Sequence, residues 1–382
     1  MPPKSLHPDT LAIHRGRAVD KSTGAVTAPI HMSSTFERDA DGDYPRGFSY
    51  SRQANPTRHS LEQCLAALEK GSEAVCFASG SAATMAVLQL LQPGQHVLIT
   101  RDAYHGTRHQ LKTLFAHWGI SHDLVDTTQV AAVEKAIRPE TRLLWIETPS
   151  NPLLGISDLA ALARLGQRHG LITVCDNTLA TPVFQNPLDA GIDLVVHSTT
   201  KYLGGHSDLL GGVVIHGPDF SQAEQLREIQ ASGGAVPAPF DCWLLLRSLS
   251  SLGVRVRAQA ASAADLARRL AAHPAVSAVF HPALPEHPGH ELAKQQSVPD
   301  CGLLSFTVHG DRQAALDVVA GTRLFTRATS LGGVESLIEH RASIEGKDSP
   351  TPGNLIRLSI GLEHIDDLWQ DLTEALEVIS QP

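Results

Sequence analysis

The chain has 382 residues, enough for about two or three domains around a sizeable core, with 31 basic and 40 acidic side chains and a formal charge of −9. That balance, with no run of basic residues, argues against nucleic acid as the main partner and leaves small metabolites. Cys64, Cys76, Cys175, Cys242 and Cys301 stand far apart, with neither a CxxC pair nor a disulfide framework, and read as reduced core thiols.

Residues 1 to about 58 are rich in Gly, Pro, Ser and Asp with little helical period, which predicts an extended arm that reaches a neighbouring copy. From 59 to about 245, helical segments such as His59 to Lys70 and Ser81 to Leu91 alternate with short apolar runs. The runs are Ala74 to Phe77, His96 to Thr100, Leu143 to Ile146, Ile172 to Cys175, Leu194 to His197 and Val213 to His216. Such alternation predicts an α/β fold, a mostly parallel sheet with helices on both faces. Ligands collect beyond the carboxyl ends of strands in such sheets, so Glu147, Asp176, Ser198 and Lys201 are expected to converge.

A long helical pattern from Phe240 to about His273 leads into a smaller α+β unit, residues 246 to 382. Its predicted strands are Val276 to Phe280, Leu303 to Val308 and Leu355 to Ile360, and its helices lie near Arg312 to Val319 and Ile365 to Ile379. The start, Met1-Pro-Pro-Lys-Ser-Leu-His-Pro, lacks an apolar targeting core, and no stretch nears the roughly 18 apolar residues of a membrane span. A soluble, cytoplasmic protein is expected.

The most informative segment is Asp193-Leu-Val-Val-His-Ser-Thr-Thr-Lys201-Tyr-Leu-Gly-Gly-His-Ser-Asp208. A lysine delivered by an apolar strand into a glycine turn loses its charge at low cost, and the neutral amine is the form that condenses with an aldehyde cofactor, for which pyridoxal phosphate is the obvious candidate. Ser198 and Thr200 supply hydroxyls suited to a phosphate. A second anion cradle is offered by Ala78-Ser79-Gly80-Ser81, a small-residue turn between a strand and a helix N-terminus. Asp176 closes another strand, where it can hold the proton on a pyridine nitrogen.

These segments resemble the pyridoxal-phosphate enzymes of cysteine and methionine metabolism, the trans-sulfuration group of cystathionine γ-synthases and γ-lyases, and the resemblance spans about residues 7 to 375. It implies an aspartate aminotransferase-like fold of type I and a homo-oligomer, with a catalytic dimer that in the family commonly pairs into a tetramer. It implies Lys201 as the condensing amine, Asp176 as partner of the ring nitrogen, and Gly80, Ser81, Ser198 and Thr200 around the phosphate. Tyr104 then matches the tyrosine stacked on the cofactor ring and Asn151 the asparagine near its hydroxyl. Tyr50-Ser-Arg52-Gln-Ala-Asn55-Pro-Thr57 matches the segment whose tyrosine and arginine reach the phosphate of the adjacent subunit. Arg357 matches the arginine that binds the substrate α-carboxylate, with Ser330 beside it.

The chain departs from the family where substrate choice is made. Thr329 precedes Ser330, where γ-synthases and γ-lyases carry glutamate and bacterial β-lyases tyrosine. After Tyr104 the chain reads His105-Gly-Thr-Arg108-His109, so the arginine that helps with the distal substrate end is displaced by one, and Arg108 or His109 is the candidate for that role. Glu339-His-Arg341-Ala-Ser-Ile-Glu345-Gly replaces Glu-His-Pro-Ala-Ser-Met-Thr-His, which is expected to put charge near the entrance. Ser330-Leu-Gly-Gly-Val-Glu335-Ser favours γ-elimination or γ-replacement on a sulfur-containing or O-acylated homoserine amino acid, with a methionine γ-lyase or cystathionine β-lyase activity as the alternative. A metal hydrolase built on His281, His287 and His290 is remote, because prolines and glycine break helical ligand spacing and no HExxH exists; no metal is expected. No GxGxxG or GxxxxGK[ST] points to a nucleotide.

Overall fold

The apolar runs between residues 73 and 216 form a single seven-stranded sheet in the computed structural model of the protein, which describes residues 6–297, 301–345 and 351–379. The strands are β1 (Glu73–Phe77), β2 (His96–Thr100), β3 (Ser121–Val125), β4 (Thr141–Glu147), β5 (Ile172–Asp176), β6 (Leu194–Ser198) and β7 (Gly212–His216). Their spatial order is β1-β7-β6-β5-β4-β2-β3, and every strand but β7 points the same way. Side chains alternate across the sheet, so Val97 and Ile99 of β2 pack with the helix Gly80–Leu88 while Leu98 packs with the helix Leu159–His169 on the other face. Both faces are therefore covered, and the central strands read as continuous hydrophobic runs.

The second sheet holds β8 (Val276–Phe280), β9 (Leu303–Val308), β10 (Thr326–Arg327), β11 (Leu337–His340) and β12 (Leu355–Ser359), in the order β10-β11-β12-β9-β8. Only the β10–β11 pair is parallel. The helices Leu252–Ala271, Arg312–Gly321 and Ile365–Glu377 bring Leu266, Leu270, Val318, Leu368 and Leu372 against Phe306, Ile338, Ile356 and Leu358.

Three details differ from the sequence reading. The helical pattern from Phe240 to His273 is two helices, Pro239–Leu249 and Leu252–Ala271, interrupted at Ser250-Ser251. The apolar period resumes in the same sense beyond the serines, so the pattern does not show the break. Second, the N-terminal stretch carries the helix Pro8–His14, with proline in its first turn and Asp9 ion-paired to Arg257 at 2.7 Å. Residues 15 to 55 then carry turns and one isolated bridge, Thr35 to Tyr50. Third, the helix read from His59 begins at Pro56, because the Asn55 side chain caps it by accepting from the Thr57 and Arg58 amides. No helix among the described residues is long and apolar enough to cross a membrane.

Candidate active site

Lys201 lies three residues past β6, in a turn where Gly205 N–H donates to its carbonyl at 2.7 Å and Gly204 N–H donates to Thr199 O at 2.8 Å. Arg255, itself buried, holds the next carbonyls of this turn, donating to Tyr202 O at 2.8 Å. A Cβ on Gly204 would sit 2.8 Å from Thr199 O, so the tight turn requires glycine there. The Lys201 amine donates to Ser330 Oγ at 2.7 Å. Burial, and then the charges of Arg357 and Arg341, bring its pKa down from the ordinary 10.5 to about 8, against an opposing pull from Glu339.

β1 ends at the other wall of the same cavity. Ser79 caps the helix Gly80–Leu88 by accepting from Ala82 N–H at 3.1 Å, and the amides of Gly80 and Ser81 precede the first intrahelical bond. A Cβ on Gly80 would approach Ser198 Cβ and Oγ to 2.8 Å, and one on Gly212 would lie 2.3 Å from Ser79 O. The cradle turn and the strand that follows the lysine loop thus pack backbone to backbone. Ser79, Gly80, Ser81, Ser198, Thr200 and Lys201 all line this cavity, with Asp176, Asn151 and Tyr104 across from them. Thr200 Oγ1 is partly engaged, accepting from Gly211 N–H at 3.1 Å.

Two carboxyl groups close the floor. Glu147 and Asp176 are register partners on β4 and β5. Asp176 Oδ1 accepts from Thr178 N–H at 3.1 Å and from its hydroxyl at 2.6 Å. Glu147 Oε2 accepts from Tyr104 N–H at 2.7 Å. Burial raises both carboxyl pKa values, and for Glu147, raised well above the carboxylate range, the neighbouring charge of Asp176 adds to the effect. Of the two, Glu147 is the carboxyl pushed further toward its neutral form. The Tyr104 ring folds over the first turn of the helix His105–Thr113, where a Cβ on Gly106 would meet it at 2.4 Å.

The C-terminal unit reaches the cavity through Leu331 and the neighbouring Ser330, which touches Lys201. Ser330 has φ +90°, a strained value for a non-glycine residue, and its carbonyl accepts from Arg357 Nη2 at 2.8 Å. Arg357, in the middle of β12, also donates from Nη1 to Asn151 Oδ1 at 3.1 Å and pairs with Glu339 Oε1 at 2.9 Å. Its buried Nε and Glu339 Oε2 have no partner among the described residues, and burial lowers the Arg357 pKa to about 10. The charge expected at the entrance is not there: Arg341 and the Glu345 carboxylate are buried against each other at 3.0 Å, because both point inward from the short helix Arg341–Glu345.

Several expected residues lie apart from the cavity. Thr107 and Gln110 of the helix His105–Thr113 face it, so Arg108 and His109, one and two positions further round, do not. Arg108 instead donates to Arg101 O at 3.3 Å, and His109 is exposed. Thr329 is also exposed. Tyr50 and Arg52 lie away from this chain's own cavity, with the Arg52 guanidinium 5.7 Å from the Tyr50 ring centroid, while Arg58 holds their turn by donating to Ser51 O at 2.8 Å. The three histidines are taken up by local backbone groups: His281 accepts from Ala283 N–H at 3.2 Å and meets Cys301 O at 3.1 Å through its other nitrogen, His287 accepts from Gly289 N–H at 3.0 Å, and His290 Nδ1 meets Pro282 O at 2.7 Å. The sequence reading passed over Glu339 as a site group, although a glutamate and a histidine in the short apolar run Leu337–His340 signal buried polar work.

The residues present fit pyridoxal phosphate. A turn with open amides and hydroxyls at one end suits a phosphate, the half-buried Asp176, engaged through Oδ1, suits a ring nitrogen, an aromatic face stands over the space between, and a partly neutral amine lies within it. The family model for Cys/Met metabolism PLP-dependent enzymes matches residues 9–377. Cystathionine gamma-synthase of Mycobacterium bovis is 47% identical over 375 residues, covering 97% of this chain and 96% of its own. Cystathionine beta-lyase of Coxiella burnetii is 44% identical over 383 residues, covering 98% of each. The crystal structure of cystathionine gamma-lyase from Lactobacillus plantarum complexed with L-serine superposes with a TM-score of 0.93 at 39% identity, covering 98% of this chain and all of that one. With the fold, the cavity and these likenesses in agreement, the chain belongs to the pyridoxal-phosphate-dependent enzymes of cysteine and methionine metabolism.

Proposed function

We propose that the protein catalyses γ-elimination or γ-replacement on a sulfur-containing or O-acylated homoserine amino acid, as a cystathionine γ-synthase or γ-lyase. The observation that carries this reading is one serine with two neighbours: Ser330 Oγ meets the Lys201 amine at 2.7 Å while its carbonyl meets Arg357 at 2.8 Å. An amino acid held by its carboxylate at Arg357 then presents its Cα and Cβ to the amine. Pyridoxal phosphate, when bound, supplies an aldehyde for the substrate amine and a ring that withdraws electrons from Cα.

The protein's own residues do the rest. With the cofactor bound, Gly80, Ser81, Ser198 and Thr200 would hold its phosphate, Asp176 would keep a proton on the ring nitrogen, Tyr104 would restrain the ring and Asn151 would meet its hydroxyl. Lys201, neutral in a large fraction near pH 8, takes the Cα proton and moves protons to and from Cβ. A thiol or acyloxy group leaves from Cγ. Tyr50 and Arg52, turned away from their own cavity, serve the phosphate of a second copy, so the catalytic unit is a dimer. The proposed division keeps an arm over 1–58, a cofactor unit over 59–245 and a substrate unit over 246–382, and the helix Pro239–Leu249 crosses the last boundary.

Incubating the holoenzyme with cystathionine, methionine, cysteine and O-acylated homoserines tests the reading. A four-carbon keto acid with cysteine from cystathionine, or cystathionine from an O-acylated homoserine and cysteine, supports γ chemistry; no turnover of any of these refutes it. The exposed Thr329 in place of the family's glutamate favours keeping one other reading, β-elimination of cystathionine, which yields a three-carbon keto acid and homocysteine.

A further inference from the structure

Arg357 does not meet Glu339 alone. Glu339 Oε1 pairs with Arg357 Nη2 at 2.9 Å and accepts from Arg341 Nη1 at 3.0 Å, and all three residues are no more than 5% exposed. Arg341 is in turn held by Glu345 at 3.0 Å, and its Nη2 lies 3.4 Å from His105 Nδ1, beside the Tyr104 ring. The two charged departures from the family's Glu-His-Pro-Ala-Ser-Met-Thr-His pattern, Arg341 and Glu345, are thus each other's partners one helical turn apart.

In a poorly solvated site a carboxylate paired with one guanidinium largely cancels its charge, and a second guanidinium on the same oxygen divides that attraction. Glu339 Oε2 is buried without a partner among the described residues, and this one carboxylate faces two guanidiniums, so the three side chains together are net positive before Glu345 is counted. Arg357 retains a buried, unpartnered Nε and a neutral partner in Asn151. We propose that Arg341 is a positioning residue that draws off the charge of Glu339 and so leaves Arg357 free to bind the substrate carboxylate. This rests on the assignment of Arg357 as the carboxylate site.

The test compares, in holoenzyme, binding of an amino acid with binding of the matching amine that lacks the carboxylate, read from the visible absorbance of the cofactor. R341Q is expected to weaken the amino acid by about tenfold or more and to leave the amine unchanged, and adding E339Q is expected to restore the difference. R341K, which keeps the charge, retains most of the discrimination. If R341Q weakens both ligands alike, or E339Q restores nothing, Arg341 is merely structural. R357Q separates the two layers: discrimination that survives it removes the Arg357 assignment and this inference together, whereas discrimination lost in R357Q but intact in R341Q removes this inference only. Should R341Q fail to fold once Glu345 loses its cation, R341Q/E345Q carries the same comparison.

Discussion

In the cofactor-free protein the Lys201 amine titrates about where its burial puts it, near 8, against 10.5 for an ordinary lysine. At pH 7.5 about a quarter of it is neutral against about one part in a thousand for an unshifted lysine, a gain of about two hundredfold in reactive amine. Competitive labelling with a small aldehyde at graded pH, read peptide by peptide in a mass spectrometer, measures this directly, with the exposed Lys112 and Lys135 as internal references. Burial is the larger cause and Arg357 the second, so R357Q should move the midpoint upward but leave it below 10.5. Stability follows with a definite sign. The folded lysine binds its proton less tightly than the unfolded one, so the buried ammonium costs about 3 kcal/mol below pH 8 and the cost fades as pH rises from about 8 to 10.5. The apoprotein of K201M should therefore be more resistant to urea than its parent at pH 7, with the gap closing at alkaline pH. A labelling midpoint near 10.5, or a gap that ignores pH, would refute the reasoning.

Other expectations concern the floor, the cradle and the thiols. E147Q keeps an acceptor for Tyr104 N–H and a neutral group where burial already favours the neutral carboxyl, so it should cost less than about tenfold in kcat, whereas D176N should cost about a hundredfold or more; equal damage from both contradicts the assignment. Since the folded pKa of Glu147 is raised, keeping it neutral costs stability once pH exceeds the ordinary 4.5, and the stability advantage of E147Q in urea should grow from there toward neutral pH. G80A places a Cβ 2.8 Å from Ser198 and should raise the cofactor Kd at least about tenfold by absorbance titration, with an unchanged Kd counting against the cradle. Burial pushes Cys64 up to about 11 and Cys242 up to about 12, so a disulfide reagent at pH 8 should find no fast thiol in the native protein and five after denaturation.

How far the sequence could be read depended on whether a residue's partners lay nearby in the chain. β2, β8 and β9 match the apolar runs residue for residue, because buried strands reveal themselves by their own side chains. β3 was passed over, since Ser121, His122 and Asp123 occupy an edge strand in which Val125 is the buried position. β11 was missed because two of its four residues are Glu339 and His340, buried polar groups that break the apolar run, and each has one partner, Arg357 or Gly353, more than ten positions away. The convergence of Glu147, Asp176, Ser198 and Lys201 followed from strand ends alone. The outward placement of Arg108 could not, because it depends on the phase of a helix whose first turn is set by Tyr104 and Gly106.

The close packing of Gly212 against Ser79 makes the anion turn and the amine loop a single unit from one sheet, while Ser330, Glu339, Arg341 and Arg357 arrive from the other. On the proposed assignments, vitamin capture and reactant choice lie in separable stretches of chain. Exchanging the stretch from 329 to 357 between relatives should transplant preference for a leaving group and leave the yellow chromophore seated as before.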